Sequence, residues 1–305
     1  TLPRAKRRPA AASAARPLRL LDRASSQHAI PLETFVNRRS SLDTLHAIAL
    51  PSSSASEQRR VVLPPADKNE TDIVRLLKID VSRAPAYGAK SANLGEMVRA
   101  GFDGFKIPAG VAVPIHYYDA HLEKHGLWAL IDAALKDPKF RDDATHRAQV
   151  LADLRKRIMS APLDAEFESR LNNALAPLAS RGARGLFVRS STNAEDLPGF
   201  NGAGLYDTVP NVKGAAELSA AVRKVWASVW NLRAYEERQH FGIDHREVYG
   251  AVLVQIGINA TAAGVLVTAN IFEPEEKDSY TINAKSGLGM RVVQGKRVPE
   301  QLIFD

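Results

Sequence analysis

The segment 187–208 contains the residue types of a phosphate-binding site. The short apolar run Leu186–Val188 predicts the end of a strand, and a fixed cation, Arg189, follows it directly into a polar loop. An arginine side chain offers a planar fork of donors that can bind two phosphate oxygens at once. The loop then becomes rich in glycine, with Gly202 and Gly204 near its end, and glycine lets backbone N–H groups approach a polyanion closely. Glycines alone are more typical of a polar surface loop, but the whole segment predicts an anion site.

A second candidate cation, Lys90, lies at the start of a predicted helix. Apolar residues recur at helical spacing from Lys90 to Ala100, and Gly88 precedes them. The backbone amides and the dipole at a helix N-terminus favour an anion, and Lys90 would add a point charge. A solvated surface lysine is the alternative for this residue taken alone.

Helical patterns fill the first part of the chain, and strand patterns fill the last part. We predict helices over Ala144–Ser160, after Asp164 as an N-cap, and over Ala216–Gly242 as the longest of them. Four strands are predicted to follow. They are Ala251–Ile258, Ala263–Ile271, Tyr280–Ala284 and Arg291–Val293. This order favours an α+β fold or a two-lobed α/β fold. Arg238 and His245, near the end of the longest helix, are interpreted as surface residues.

Five segments resemble, in the same order, the motifs of the PEP/pyruvate-binding family. These are the ATP-grasp-like nucleotide domains of phosphoenolpyruvate synthase and pyruvate phosphate dikinase, with glucan, water dikinases and rifampin phosphotransferases as relatives. The matching segments are Tyr87–Ala100, Gly101–Val113, Phe187–Thr208, Ala263–Thr268 and Ile282–Gly295. The resemblance covers about residues 75–305 and does not fix the substrate.

The resemblance implies a two-lobed, ATP-grasp-like nucleotide domain with ATP and Mg²⁺ as its cofactors. By motif position, Lys90 and Arg189 would be triphosphate ligands and would carry the catalysis, facing one cleft from different lobes. Gly202 and Gly204 would lie in a flexible loop over the phosphates. Gln255, on the strand that precedes the adenine region, would be a further nucleotide ligand.

Three acids beside the glycine loop have more than one possible role. Glu195, Asp196 and Asp207 could orient Arg189, or they could hold a cation through oxygen ligands as Mg²⁺ requires. Asp196 and Asp207 could equally cap turns.

Two departures from the family pattern affect the expected metal site. The family has an acid in its late hairpin where this chain has Met290, and a thioether cannot replace a hard oxygen ligand for Mg²⁺. The family domain also continues past this hairpin, whereas this sequence ends at Asp305, so we expect a domain shortened at its C-terminal end. We therefore assign no metal ligand.

These observations leave two functions open. The first is an ATP-binding module of a phosphoenolpyruvate synthase/dikinase-type phosphotransferase, which passes phosphate from ATP to a histidine carrier on another domain or chain. The second is a non-catalytic nucleotide- or partner-binding protein derived from the same fold. Whether the chain is an enzyme stays open. The sequence contains no Gly-x-x-x-x-Gly-Lys-Ser/Thr motif and no His-Glu-x-x-His motif, which excludes a P-loop and a zincin site.

Charge divides the chain into a tail and a domain. Residues 1–60 contain 11 Lys and Arg against 4 Asp and Glu, so the whole formal net charge of +7 lies there. We predict a basic, disordered tail and linker over residues 1–64, and the nucleotide domain over 65–305. An organelle-targeting peptide or the remnant of a longer upstream region are alternatives for the tail.

The composition limits the partners and the compartment. The chain has no cysteine, and no apolar run approaches the length that spans a bilayer. We therefore expect no membrane partner and a cytoplasmic location, with organelle targeting by the tail as the open alternative. Because residues beyond the tail are neutral overall, a nucleic-acid partner is not expected for the domain; the basic tail is the one segment that could bind one.

Overall fold

A computed structural model describes residues 61–178, 185–195, 197, 199–200, 202, 204–270, 279–287 and 300–304. The chain divides after Ser56, and everything described belongs to the unit Glu57–Asp305. The predicted tail therefore lies outside the described residues, except for 61–64. Val61 and Leu63 pack against the core, and the Val61 N–H donates to the Phe241 carbonyl at 3.3 Å. Residues 61 and 63 therefore contact the domain, and the predicted boundary at residue 65 stays a prediction.

Helices make up most of the first part of the described chain. They are α1 (Ala84–Ala100), α2 (His116–Lys124), α3 (Leu127–Lys136), α4 (Pro138–Asp142), α5 (Ala144–Ser160), α6 (Ala165–Leu175), α7 (Gly214–Ala227) and α8 (Leu232–His240). Short 3-10 turns connect several of them. Within the described ranges, no helix has both the length and the apolar character that a membrane crossing requires.

The strands form two separate antiparallel sheets. They are β1 (Val74–Arg75), β2 (Gly110–Val113), β3 (Leu186–Thr192), β4 (Thr208–Val212), β5 (Gly250–Ile256), β6 (Ala262–Val267), β7 (Tyr280–Ser286) and β8 (Glu300–Phe304). The larger sheet has the order β1-β2-β5-β3-β4, and the smaller has the order β6-β7-β8. Helices and antiparallel sheets together confirm the predicted α+β class.

The larger sheet is covered on both faces because its strand residues alternate between them. Val188, Val252 and Val254 point to one face and join the main core, which contains the three tryptophans and most of the helices. Ala112 and Leu253 point to the other face and pack with Tyr87 and neighbouring residues in a smaller cluster beneath α1. In the part of the chain that the structure describes, the sheet therefore separates a large helical layer from α1 and the short segment before it.

Local signals predicted several elements well. The α5 bounds match the prediction for Ala144–Ser160, and Asp164 caps α6 by accepting from the Glu166 and Phe167 N–H groups. The prediction of one long helix over Ala216–Gly242 was wrong, because a 3-10 turn at Ser228–Trp230 and extended backbone at Asn231 divide it into α7 and α8. The predicted strand Arg291–Val293 lies outside the described residues.

Two residues interpreted as surface residues are buried. Arg238 has no exposed surface, and its Nε donates to His245 Nδ1 at 3.2 Å. His245 stacks on Tyr235 with ring centroids 4.2 Å apart. Arg238 lies over the Trp230 ring, with its guanidinium carbon 5.6 Å from the ring centroid, so packing between α8 and the turn at Ser228–Trp230 encloses it.

Candidate functional site

Arg189 lies in the middle of a strand, because β3 continues to Thr192 instead of ending at Val188. Its position on β3 is opposite Leu253, so its side chain lies on the α1 face of the sheet. Arg189 Nη1 donates to Gln255 Oε1 at 3.1 Å. Burial lowers the pKa of the Arg189 guanidinium and the nearby Glu195 carboxylate acts against this, but a guanidinium stays protonated in proteins. The strand therefore presents a fixed, partly desolvated cation.

Gln255 is itself held in one orientation. Its Nε2 donates to the Pro108 carbonyl at 3.0 Å, which leaves Oε1 turned towards Arg189. Gly110 lies opposite Gln255 on β2, and a Cβ at Gly110 would come within 2.8 Å of Gln255 Cγ. The absence of a side chain at Gly110 therefore makes room for this arrangement.

Helix α1 brings Lys90 to the same strand. The helix kinks at Gly88, where φ is 75°, and a Cβ there would lie 1.8 Å from the Ser191 carbonyl oxygen. Across this close approach, Ser191 Oγ donates to the Tyr87 carbonyl at 2.8 Å and accepts from the Ser91 N–H at 2.9 Å. Lys90 follows the kink, in agreement with its predicted place at a helix start.

Lys90 contacts both β3 and the segment after it. Lys90 Nζ donates to the Ser190 carbonyl oxygen at 2.8 Å and pairs with Glu195 Oε2 at 3.0 Å. The other oxygen of this carboxylate, Oε1, accepts from Ser190 Oγ at 3.1 Å. The site therefore contains two cations and one buried carboxylate, all within or beside β3.

The Ser190 carbonyl can accept from Lys90 because the β3–β4 ladder ends there. Asp207 would be its partner in a regular ladder, but the Asp207 N–H donates to Ser228 Oγ at 3.0 Å. Asp207 still accepts from the Ser190 N–H through its carbonyl, at 3.4 Å. Its carboxylate accepts from Asn231 Nδ2 at 3.2 Å, beside the start of α8. The structure thus places Asp207 among the helices, while Glu195 lies with Lys90.

The glycine loop lies directly over Glu195. A Cβ at Gly202 would come within 3.0 Å of the Ala194 carbonyl oxygen and 3.2 Å of Glu195 Cγ. Gly204 is exposed and has a φ of 76°, with open space where a Cβ would be. Gly202 therefore allows a close approach, and Gly204 allows a left-handed turn. Asp196, within this loop, and Met290, in the late hairpin, lie outside the described residues.

Both cations belong to the larger sheet and its covering helix. α1, which carries Lys90, packs on β3, which carries Arg189. The expectation that they come from different lobes was therefore wrong, and the expectation that they face one cleft stays a prediction. The error arose because the sequence could not show that α1 and β3 are neighbours at a separation of about 100 residues.

The described residues do not form a ready site for a resident Mg²⁺. They contain no group of three or more His, Cys, Asp or Glu side chains that could hold a metal ion. Both Glu195 oxygens are already engaged, by Lys90 and by the Ser190 hydroxyl. Mg²⁺ binds through several oxygen ligands, so these side chains do not fit it as they stand.

Sequence reasoning missed the residues that hold the two cations. Ser190 contributes its carbonyl and its hydroxyl to the Lys90 site, and Ser191 fastens α1 to β3. The Pro108 carbonyl fixes Gln255. Two serines directly after an arginine on a strand were a usable signal, because alternation places their side chains on opposite faces.

Comparisons with known proteins identify the family of this chain. Residues 84–305 match the family described as pyruvate phosphate dikinase, AMP/ATP-binding domain. The chain is 34% identical over 248 residues to a probable phosphoenolpyruvate synthase from Staphylothermus marinus. The aligned region covers 78% of this chain and 28% of the relative. It is 36% identical over 234 residues to a phosphoenolpyruvate synthase from Pseudomonas aeruginosa, with coverage of 75% and 29%.

A rifampicin phosphotransferase from a Streptomyces species is 33% identical over 231 residues, which is 75% of this chain and 26% of that protein. The chain thus spans less than a third of the length of these curated relatives. The resemblance seen in the motifs is confirmed over most of the chain. The protein belongs to the pyruvate phosphate dikinase AMP/ATP-binding domain family.

Proposed function

We propose that this chain is the ATP-binding module of a phosphoenolpyruvate synthase/dikinase-type phosphotransferase, with ATP bound as its Mg²⁺ complex. The observation that carries the proposal is the convergence of Lys90 and Arg189 on one strand, beneath a glycine-containing loop. Family membership supports ATP as the ligand. The Mg²⁺ ion would arrive with the nucleotide, held by phosphate oxygens, since the described residues offer no ready set of ligands.

In this proposal, the protein contributes electrostatic stabilisation and positioning. Phosphoryl transfer requires little covalent chemistry from the protein, so fixed cations aimed at the phosphates supply most of the catalysis. Lys90 and Arg189 would neutralise charge on the triphosphate, and the backbone N–H groups near Gly202 and Gly204 would bind its oxygens. Gln255 would hold Arg189 and border the nucleotide.

The phosphate acceptor would be a histidine on another domain or chain. The relatives named as phosphoenolpyruvate synthases are several times longer than the region they share with this chain, so they have room for such a domain. A cytoplasmic location completes the proposal, because a cysteine-free chain suits a reducing compartment. The alternative is a module that binds nucleotide or a partner without turnover.

Calorimetric titration with ATP and Mg²⁺ tests the proposal. We expect Arg189→Gln to weaken ATP binding by about 10- to 100-fold, because a charge-assisted hydrogen bond contributes about 1.5–3 kcal/mol. Lys90→Met should weaken it to a similar degree. The matched controls are Arg141→Gln and Lys124→Met, since both side chains are more than half exposed and pair with other surface carboxylates.

The outcomes separate the two functions. ATP binding that needs Lys90 and Arg189, together with AMP formation when a phosphohistidine domain of a relative is supplied, supports the proposal. Binding without any ATP consumption supports the non-catalytic module. Wild-type protein that binds no nucleotide would contradict the proposal and leave only a partner-binding module, and variants that bind ATP as tightly as the controls would contradict the roles of Lys90 and Arg189.

A further inference from the structure

The ammonium group of Lys90 is held on two sides by protein atoms. A lysine ammonium has three N–H donors and no acceptor. One donor reaches the Ser190 carbonyl oxygen at 2.8 Å, and the ammonium group forms an ion pair with Glu195 Oε2 at 3.0 Å. The Lys90 side chain is 30% exposed, so the group is not closed off from solvent. Nζ also lies 3.5 Å from Ser190 Oγ, so these contacts hold the ammonium group on the protein side while its exposed side is open to a phosphate oxygen.

Glu195 is a rigid support for this group. Its side chain is only 5% exposed, and a buried carboxylate is stable only when it is paired and hydrogen-bonded. Lys90 supplies the charge for Oε2, and the Ser190 hydroxyl supplies the hydrogen bond for Oε1. The carboxylate is therefore fixed at both oxygens, and it cannot easily turn away to serve a metal ion.

The glycine loop rests on the same side chain. An added Cβ at Gly202 would come within 3.2 Å of Glu195 Cγ, which is closer than ordinary van der Waals contact. The stem of Glu195 thus lies between Gly202 and Lys90. A change in this stem would disturb both the loop and the cation.

We infer that Glu195 is a positioning residue that holds Lys90 in the orientation needed for phosphate binding and supports the glycine loop above it. This inference rests on the proposed nucleotide function. It differs from the two roles that the sequence left open for Glu195. Arg189 hydrogen-bonds to Gln255, and the Glu195 oxygens are engaged by Lys90 and Ser190.

The direction in which Glu195→Gln changes the ATP affinity distinguishes a positioning role from a purely electrostatic one. A carboxylate repels phosphate, so Glu195→Gln would tighten ATP binding if Glu195 were only a nearby negative charge. If Glu195 positions Lys90, the same substitution weakens ATP binding, and we expect a loss of about tenfold. A role as a metal ligand would make this loss depend on Mg²⁺, so titrations are done with and without the ion.

A double-mutant cycle shows whether Glu195 acts through Lys90. We expect Glu195→Gln to cause no further loss of ATP affinity in a Lys90→Met background, because the group being positioned is already gone. Glu236→Gln is the matched control, since Glu236 forms an ion pair with Arg147 at 3.4 Å on the helical side of the domain. Fully additive losses, or tighter binding by Glu195→Gln, would overturn the inference.

A second arm needs no nucleotide. An amine-reactive reagent should modify Lys90 several-fold faster in Glu195→Gln than in the wild type, as measured by peptide mass spectrometry. Lys124 is the internal reference, because its side chain is 56% exposed and its modification rate should not change. Unchanged labelling of Lys90 would refute the pairing itself, even if the chain bound no ATP and the proposed function failed separately.

Folding is checked by thermal unfolding of each variant. If Glu195→Gln does not fold, Ser190→Ala gives a milder test, because it removes only the hydroxyl that fixes Oε1. It should raise Lys90 labelling and weaken ATP binding in the same direction, by about two- to threefold. No change in either quantity would contradict the inference.

Discussion

The two faces of the larger sheet have different roles, and residues that are adjacent on one strand contribute to different faces. Val188 points into the main core, and Arg189, the next residue, lies on the α1 face beside Gln255. Val254 and Gln255 repeat this division on β5. One face thus contributes mainly to stability, and the other presents charge. The alternation of a strand is enough to separate the two tasks by a single residue.

The faces also differ in how they are covered. The helical face is closed by many side chains, including stacked rings of Phe167 and Trp226 with centroids 5.5 Å apart. The opposite face has one helix and a small cluster around Tyr87 and Leu253. Among the described residues, α1 is the one α-helix on that face, and Arg189 and Lys90 are partly accessible there. The difference predicts that substitutions on the helical face affect stability and leave binding unchanged, whereas substitutions on the α1 face also affect binding.

Trp226→Ala should have the largest effect on stability. Trp226 is 1% exposed and contacts Tyr118, His121 and Phe167, so its removal leaves a large cavity. We expect a loss of about 3–5 kcal/mol in the free energy of unfolding, measured in urea. Leu232→Ala, at a residue that is 37% exposed, is the control and should cost much less. A large change in the ATP affinity of the folded fraction would show that the two faces are not independent.

Gly88→Ala should have the next largest effect, because it separates α1 from β3. A Cβ at this position would meet the Ser191 carbonyl oxygen at 1.8 Å, and φ is 75°. We expect a loss of about 3 kcal/mol from the clash and the backbone strain together. Gly101→Ala is a matched control, since φ is 64° there and no atom lies within 4 Å.

Gly101→Ala, the control, should lower the free energy of unfolding by only about 1–2 kcal/mol, because it adds only the strain of a left-handed backbone. Gly88→Ala should also weaken ATP binding, because Lys90 follows the kink that this residue forms. Equal losses in the two variants would show that the contact between α1 and β3 is not a source of stability. It would also show that α1 does not need this close approach to place Lys90.

Features that depend on local chemistry could be predicted from the sequence. The α5 bounds and the Asp164 cap follow from helical spacing and one N-cap residue. The motifs around Lys90 and Arg189 also identified the family and the two cations. The length of β3 could not be predicted, because its residues up to Thr192 are extended by pairing with β5. At such positions, pairing with a neighbouring strand decides the backbone conformation, and the intrinsic preference of the residues does not.

The partners of the two cations could not be predicted either. Lys90 and the Ser190 carbonyl are 100 residues apart, and Gln255 and the Pro108 carbonyl are 147 apart. No local rule links residues at such separations. The sequence left open whether Glu195 serves Arg189 or a metal ion, and only the packing of α1 on β3 showed it beside Lys90. Burial of Arg238 likewise depends on packing against Trp230 and His245.

Acid should lower the free energy of unfolding, because two histidines are buried on the helical side of the sheet. This is the smallest effect that we predict. Burial lowers the pKa of His121 to about 4 and the pKa of His245 to about 3. Both values lie below the ordinary histidine pKa of about 6.5. As the pH falls below that value, the unfolded chain binds a proton at each histidine, but the folded chain does not. Stability is therefore fully present above about pH 6.5 and falls towards the folded pKa values.

Each histidine should contribute a loss of about 1 kcal/mol in the free energy of unfolding between pH 7 and pH 5.5. Urea titrations over this range measure it, and the range lies above the pH at which carboxylates with lowered pKa values, such as Asp164, take up protons. His121→Gln should remove about half of the slope, because a glutamine does not titrate. ATP affinity of the folded protein should change little over the same range, since neither histidine contacts Lys90 or Arg189. A flat stability profile in the wild type, or a slope unchanged in His121→Gln, would show that these rings are not held neutral by the helical face.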